Sequence, residues 1–310
     1  MMKTDGSNPR EQATSITETR NPRTAAIDTL SALEIVRLIN DEDARVAPAV
    51  RRELPQIARA VDVIVERLRR GGRLLYFGAG TSGRLGVLDA SEIPPTFSAP
   101  PDLVWGFIAG GDVALRQAVE AAEDDPAGGA RAVREAGVRG RDVVVGITAS
   151  GGAPWVLGAV AEAHRRGAAT VAITCNPDSP LARQADVVIA PIVGPEVIAG
   201  SSRMKAGTAQ KMVLNMLSTA TMIRLGKVYD NLMVDVQPTN AKLRRRAVHI
   251  LQEAAGVDPE AARGALEATG YQVKPALVML LAGVDADEAR RRLVAAEGFV
   301  RRALDFRDFQ

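Results

Sequence analysis

The spacing of apolar residues changes period twice along this chain, and the changes divide it into three parts. In the first, apolar residues recur at helical spacing: Val50, Leu54, Ile57, Val61, Ile64 and Leu68 make one stripe on a helix predicted over 47–70, with a shorter helix over 32–40 before it. Pro55 falls within the longer helix and is expected to kink it. Residues 1 to about 22 are polar, and the start of that stretch is expected to stay unstructured. From Gly71 onward short runs take over: 74–77, 143–147, 170–174 and 187–190 are apolar or β-branched without polar alternation, the pattern of parallel strands buried on both faces. Helical stretches at 154–166 and 206–225 separate or follow them, which predicts a doubly wound α/β domain over 71–226. After Asn240 only helical patterns remain, at 241–255, 259–269, 274–282 and 286–304, with Asp258-Pro259 and Asp285-Ala286 as helix starts. Residues 227–310 are therefore a linker and a helical region, either a small bundle of its own or helices laid on the main domain.

The first strand empties into Gly78-Ala-Gly-Thr-Ser-Gly-Arg84, a glycine-serine loop that opens a helix. Orphan N–H groups and the positive end of a helix dipole favour an anion there, and Thr81 and Ser82 add hydroxyls beside Gly80. No lysine follows the loop, so a nucleoside triphosphate would lack its usual cation. Gly78, Gly80 and Gly83 match GxGxxG, but a dinucleotide also wants an acidic residue ending a second strand about 20 residues on. Asp102 has that spacing, yet Pro94, Pro95, Pro100 and Pro101 argue against a clean strand in the interval. A sugar phosphate is the better guest. A second junction, Asp142 to Ser150 followed by Gly151 and Gly152, places another serine loop at the same edge of the sheet, where two loops can clamp one phosphoester.

Composition removes other classes. A net charge of +2 and arginines interleaved with Glu and Asp give no basic groove for nucleic acid. No stretch approaches 18 apolar residues and the N-terminus has no hydrophobic signal core, so a soluble cytoplasmic chain without membrane contact is expected. The one cysteine, Cys175, fits a reducing compartment and reads as a buried thiol at a strand end. With two histidines, His164 and His249, and no ligand spacing, neither a metal nor another cofactor is implied. Carboxylates are left for proton transfer. Arg116, Glu120 and Glu123 share one side of a helix expected after Gly110-Gly111 with Asp112 as its N-cap; taken alone they form a solvated, salt-bridged face.

Five motifs, Gly78 to Arg84, Asp89-Ala-Ser-Glu-Ile-Pro-Pro95, Ile108-Ala-Gly-Gly111, Ala118-Val-Glu-Ala-Ala-Glu-Asp124 and Gly200-Ser-Ser-Arg-Met-Lys-Ala-Gly-Thr-Ala-Gln-Lys211, occur in this order. Together they resemble the N-acetylmuramic acid 6-phosphate etherases of the sugar isomerase (SIS) superfamily, and the resemblance runs from Thr17 nearly to the C-terminus. It implies an SIS-type, flavodoxin-like sheet and cleavage of the D-lactyl ether of the muramic sugar phosphate, to N-acetylglucosamine 6-phosphate and D-lactate, in cell-wall sugar catabolism. It also implies Glu92 as acid to the departing lactate and Glu123 as base at C2 and later for water, leaving Glu120 structural. Such an acid has to be protonated near neutral pH. Contact with the sugar phosphate falls to Gly80, Thr81, Ser82, Ser150 and Gly151, with Ser201, Ser202, Arg203 and Lys205 as a capping loop; N-capping of the following helix is the plainer role of those serines.

Two points strain the resemblance. An unbroken helix after Ser82 would put Glu92 about 15 Å from the phosphate loop at 1.5 Å per residue. Either the helix breaks, near Gly86 or 89–91, or a second subunit takes part, and a homodimer is expected. Gly152 and Ala153 stand where many family members carry an Arg and a Thr, so a ligand to the anion is missing and Thr81, Ser82 and Ser150 carry more of the contact. A non-catalytic sugar-phosphate sensor like the glucokinase regulatory protein, and an aldose–ketose isomerase, are the competing readings.

Overall fold

The computed structural model describes residues 16–305 apart from Gln237 and Thr239. The expectation for the first residues of the chain lies outside that range. Five strands form one parallel sheet: β1 (Leu74–Gly78), β2 (Val104–Ile108), β3 (Val143–Ile147), β4 (Ala169–Ile173) and β5 (Val187–Ile189), in the order β2-β1-β3-β4-β5. The order reverses at β1, so the crevice between β1 and β3 at their carboxyl ends is the topological switch point. Every residue of β1, β3 and β4 is buried, as apolar runs without alternation require.

Leu74, Tyr76, Val143, Val145 and Ile147 face one layer of helices, formed by α2 (Val46–Arg52), α3 (Leu54–Arg69), α4 (Gly80–Phe97) and α8 (Lys205–Arg224). Leu75, Phe77, Val144 and Ala172 face the other, with α5 (Pro126–Glu135), α6 (Pro154–Arg165) and α7 (Pro180–Gln184). Ahead of both lies α1 (Ala32–Asp43), opened by a reciprocal Ser31/Glu34 capping box. The C-terminal helices α9 (Ala241–Ala255), α10 (Pro259–Ala268), α11 (Val273–Ala282), α12 (Ala286–Ala295) and α13 (Val300–Leu304) close around an apolar cluster of their own, which includes Leu251, Leu266, Leu277 and Leu293.

Four expectations need correction. Pro55 does not kink one helix but sits in the first turn of α3, where its missing N–H costs nothing, so 47–70 is two helices and Leu54 is exposed. A second strand does exist: β2 begins just after the prolines, at Val104, and Asp102 lies before it rather than at its carboxyl end. The helix α4 runs unbroken from Gly80 to Phe97. Gly86 allows close packing there, since a Cβ would sit 3.0 Å from that of Tyr76. The helix expected from Asp112 to Glu123 is instead two 3₁₀ turns, Gly111–Leu115 and Ala122–Asp124, joined by a turning loop in which Ala121 is left-handed. Of the apolar side expected there, Leu115, Val119 and Ala122, only Ala122 packs on the α6 cluster while Val119 is 39% exposed, and a helix of this length with so little packed surface is marginal in water.

Candidate active site

The loops after β1 and β3 lie side by side because Gly78 pairs with Ile147 in the sheet, and adjacent strands are about 4.8 Å apart. Gly83 lets α4 start this close to the sheet: a Cβ there would lie 2.6 Å from Ile108 Cγ1 and 2.7 Å from the Gly78 carbonyl. The N–H groups that open α4 therefore point into the switch-point crevice, with Gly80 exposed at its mouth and Thr81 half-buried. On the β3 side Gly151 has φ +75°, and a side chain there would run into Ser179 Oγ at 2.1 Å. The half-buried Ser150 accepts from the Gly152 N–H (3.2 Å), which leaves its own proton free to donate.

Ser82 is buried and donates to Gln210 Oε1 (2.9 Å), tying the start of α4 to α8. Gln210 Nε2, likewise buried, has no partner. A buried amide N–H₂ without an acceptor is costly, and this one belongs to a side chain bonded to the loop after β1. Sequence reasoning missed Gln210, although it lies inside the Gly200–Lys211 motif. The start of α8 reaches the same loop: a Cβ on Gly207 would be 3.4 Å from Thr81 Cγ2 and 3.5 Å from the Ser202 carbonyl. Ser201 and Ser202 are half-buried and Arg203 is exposed, and through Gly207 the Ser202 carbonyl comes beside Thr81.

Lys205 is fully buried, its Nζ donating to Glu42 Oε2 (2.6 Å) and the Val193 carbonyl (3.0 Å). Glu42 also accepts from Arg23 Nε (2.6 Å) and Asn21 Nδ2 (3.0 Å). Burial pushes this carboxyl up, but the bonds from Arg23 and Lys205 outweigh it and hold the group at about 2. Around this cluster the N-terminal segment clasps the loop before α8, through Thr24 Oγ1 to the Val197 carbonyl (2.8 Å) and the Gly200 N–H to the Thr17 carbonyl (3.2 Å). The place expected of Lys205 in substrate contact is therefore corrected: its ammonium is consumed inside the protein.

Within one chain Glu92 stands away from the crevice, about 15 Å along α4 from Ser82. Glu92 is exposed on the fourth turn of α4, on the wall of a groove of about 630 Å³ between α4 and α8 that also holds Asp89, Lys211, Asn215 and Ser218. Glu123 is exposed in its 3₁₀ turn and does not line that groove. Glu120 borders a second groove, of about 910 Å³, along β2 with Trp105 and Phe107. Among the described residues no ion pair joins Arg116 to Glu120 or Glu123, so the salt-bridged face that their spacing suggested does not form. Asp89, one turn before Glu92, accepts from the buried phenol of Tyr76 (3.0 Å) and from Ser218 Oγ (3.0 Å); burial raises its carboxyl above the ordinary range. Cys175 is buried as expected, and burial pushes its thiol up to about 12.

Three family profiles match in turn: the glucokinase regulatory protein N-terminal SIS domain over residues 56–164, the SIS domain over 128–220, and the C-terminal lid domain of glucokinase regulatory protein over 230–276. Whole-chain relatives are more similar. The chain is 59% identical over 292 residues to the N-acetylmuramic acid 6-phosphate etherase of Edwardsiella ictaluri, spanning 94% of this chain and 97% of that one. It is 54% identical to the protein of that name from Serratia proteamaculans (93% and 97% covered) and 55% identical to that from Brucella anthropi (94% of each).

Proposed function

Because the chain belongs to the N-acetylmuramic acid 6-phosphate etherase family, we propose that it cleaves the D-lactyl ether of N-acetylmuramic acid 6-phosphate, releasing D-lactate and N-acetylglucosamine 6-phosphate, as a carbon–oxygen lyase. The observation that carries this reading is the end-to-end likeness to etherases, over 94% of the chain. The phosphate sits in the switch-point crevice, held by the N–H groups that open α4, by Thr81 and Ser150, and by Gln210, whose unpartnered Nε2 takes a phosphate oxygen. Ser201, Ser202 and Arg203 close over it.

Once the sugar opens to its aldehyde, the C2 proton is acidified by the adjacent carbonyl. Glu123, as carboxylate, removes that proton; the electron pair forms the C2–C3 double bond, the C3–O bond breaks, and Glu92 gives its proton to the departing lactate oxygen. Water then adds at C3, losing a proton to the carboxylate left on one glutamate, while C2 regains its proton from the other. The sum is ether plus water to two hydroxyls, so no redox partner is needed.

One chain alone does not assemble this set, and two copies do. Unbroken α4 separates Glu92 from its own phosphate loop by about 15 Å. Beside Glu92, the face made by α4 and α8 leaves Leu88 and Ile223 about half exposed, with Met212, Met216 and Ala220 next to them. A second copy on this face supplies the missing part of each site and gives a homodimer. The reaction belongs in the cytoplasm, where the single free thiol would stay reduced. Incubating the protein with N-acetylmuramic acid 6-phosphate should release D-lactate and N-acetylglucosamine 6-phosphate in equal amounts. Formation of a ketose phosphate, or binding without turnover, would favour an isomerase or a sensor instead.

A further inference from the structure

We propose that Lys211 receives the carboxylate of the lactyl group and so sets the specificity of the enzyme for a carboxylated ether; this rests on the etherase reading above. The substrate carries two anions. Its phosphate belongs to the switch-point crevice, and its carboxylate is bonded to the carbon that bears the ether oxygen, so it must lie beside the group that protonates that oxygen. Glu92 faces the groove between α4 and α8, and Lys211 is the one cation among the residues lining that groove.

The surroundings of Lys211 leave its charge available. Asp89 lies close enough to feel it, yet that carboxylate is satisfied by neutral donors: the Tyr76 phenol and Ser218 Oγ, each at 3.0 Å, and the Asn215 amide at 3.2 Å when Asn215 is turned as its neighbours require. In that orientation Asn215 accepts from Lys211 Nζ (2.7 Å), which fixes the ammonium on the groove wall and spends one of its three protons. Among the described residues no carboxylate lies within ion-pairing distance of Lys211, in contrast to Lys205 six residues earlier. Asn215, itself fixed by Asp89, thus holds Lys211 in place without neutralising it. A carboxylate entering beside Glu92 meets a positioned, unpaired ammonium with two N–H groups to offer. The same carboxylate is absent from N-acetylglucosamine 6-phosphate, so Lys211 acts on substrate and on free lactate but not on the product sugar.

The test compares Lys211→Met and Lys211→Arg with the wild type, all checked for the same melting temperature. A lost charge-assisted hydrogen bond corresponds to about a 10- to 100-fold loss, and Lys211→Met should lower kcat/KM for N-acetylmuramic acid 6-phosphate by that factor while Lys211→Arg recovers most of it. D-lactate should inhibit the wild type and no longer inhibit Lys211→Met, whereas inhibition by N-acetylglucosamine 6-phosphate and exchange of its C2 proton in deuterated water stay within about twofold. The proposal is overturned if Lys211→Met keeps wild-type kcat/KM, if D-lactate still inhibits it, or if product-sugar binding and exchange fall in parallel with turnover. A wild type that releases no lactate at all would instead remove the etherase reading beneath it.

Discussion

Replacing Lys205 by methionine removes an ammonium that is wholly inside the protein, between Glu42 and the Val193 carbonyl. Glu42 is only 1% exposed and would keep Arg23 and Asn21, but Arg23 is itself nearly half open to water and compensates a buried charge less well. Breaking a buried pair from one side costs about 3–5 kcal/mol, and the surviving Arg23 contact puts this case near the lower end. Against burial, the bonds from Arg23, Lys205 and Asn21 together hold the Glu42 carboxyl at about 2 instead of 4.5, a contribution to stability that Lys205 shares with the other two. Because the folded group is depressed, that contribution is full above pH 4.5 and is lost as pH falls toward 2. Urea unfolding should therefore show Lys205→Met less stable by about 3 kcal/mol at pH 7, a midpoint lower by about 1–3 M for urea slopes of about 1–3 kcal/mol per molar. The gap should narrow in acid. A Glu42→Leu/Lys205→Met double variant should regain part of the loss, since an apolar pair leaves no charge uncompensated. An unchanged midpoint together with a raised KM would refute the reasoning and return Lys205 to the substrate.

In deuterated water Glu92→Gln should still exchange the C2 proton of the sugar phosphate while releasing lactate at a rate lower by roughly 10²–10⁴, and Glu123→Gln should do neither; the opposite pattern, read by NMR, would exchange their roles. Mixing Glu92→Gln subunits with subunits disabled at the phosphate loop by Gly83→Val should restore lactate release, because some sites then pair an intact Glu92 with an intact loop. No recovery on mixing, with mixed dimers shown to form, would place each site within one chain.

The sheet was legible because β1, β3, β4 and β5 are uninterrupted apolar runs, a pattern with few other uses, and the anion crevice followed from where two of them end in glycine and serine. β2 was obscured because it reads Val-Trp-Gly-Phe-Ile at the sheet edge, half open to solvent, and follows four prolines within eight residues. The segment 112–124 misled for the opposite reason: its helical spacing is real, but spacing needs a continuous apolar surface to pack against, and here only Ala114 and Ala122 find one. Lys205 and Lys211 show the limit for single side chains. Both are lysines in one motif on one helix, and nothing in the string tells that the first meets Glu42, 163 residues earlier, while the second stays on a groove wall.

That span of 163 residues also bears on how the protein is made. Chains leave the ribosome at about 5–20 residues per second, so Glu42 emerges roughly 8–30 s before Lys205 exists. Throughout that interval Asn21, Thr24 and Glu42 lack their partners at Pro195, Val197 and Lys205, and the first helices must wait in a partly assembled state. The N-terminal clasp is thus among the last contacts of the α/β layer to form during synthesis, although its residues are among the first translated.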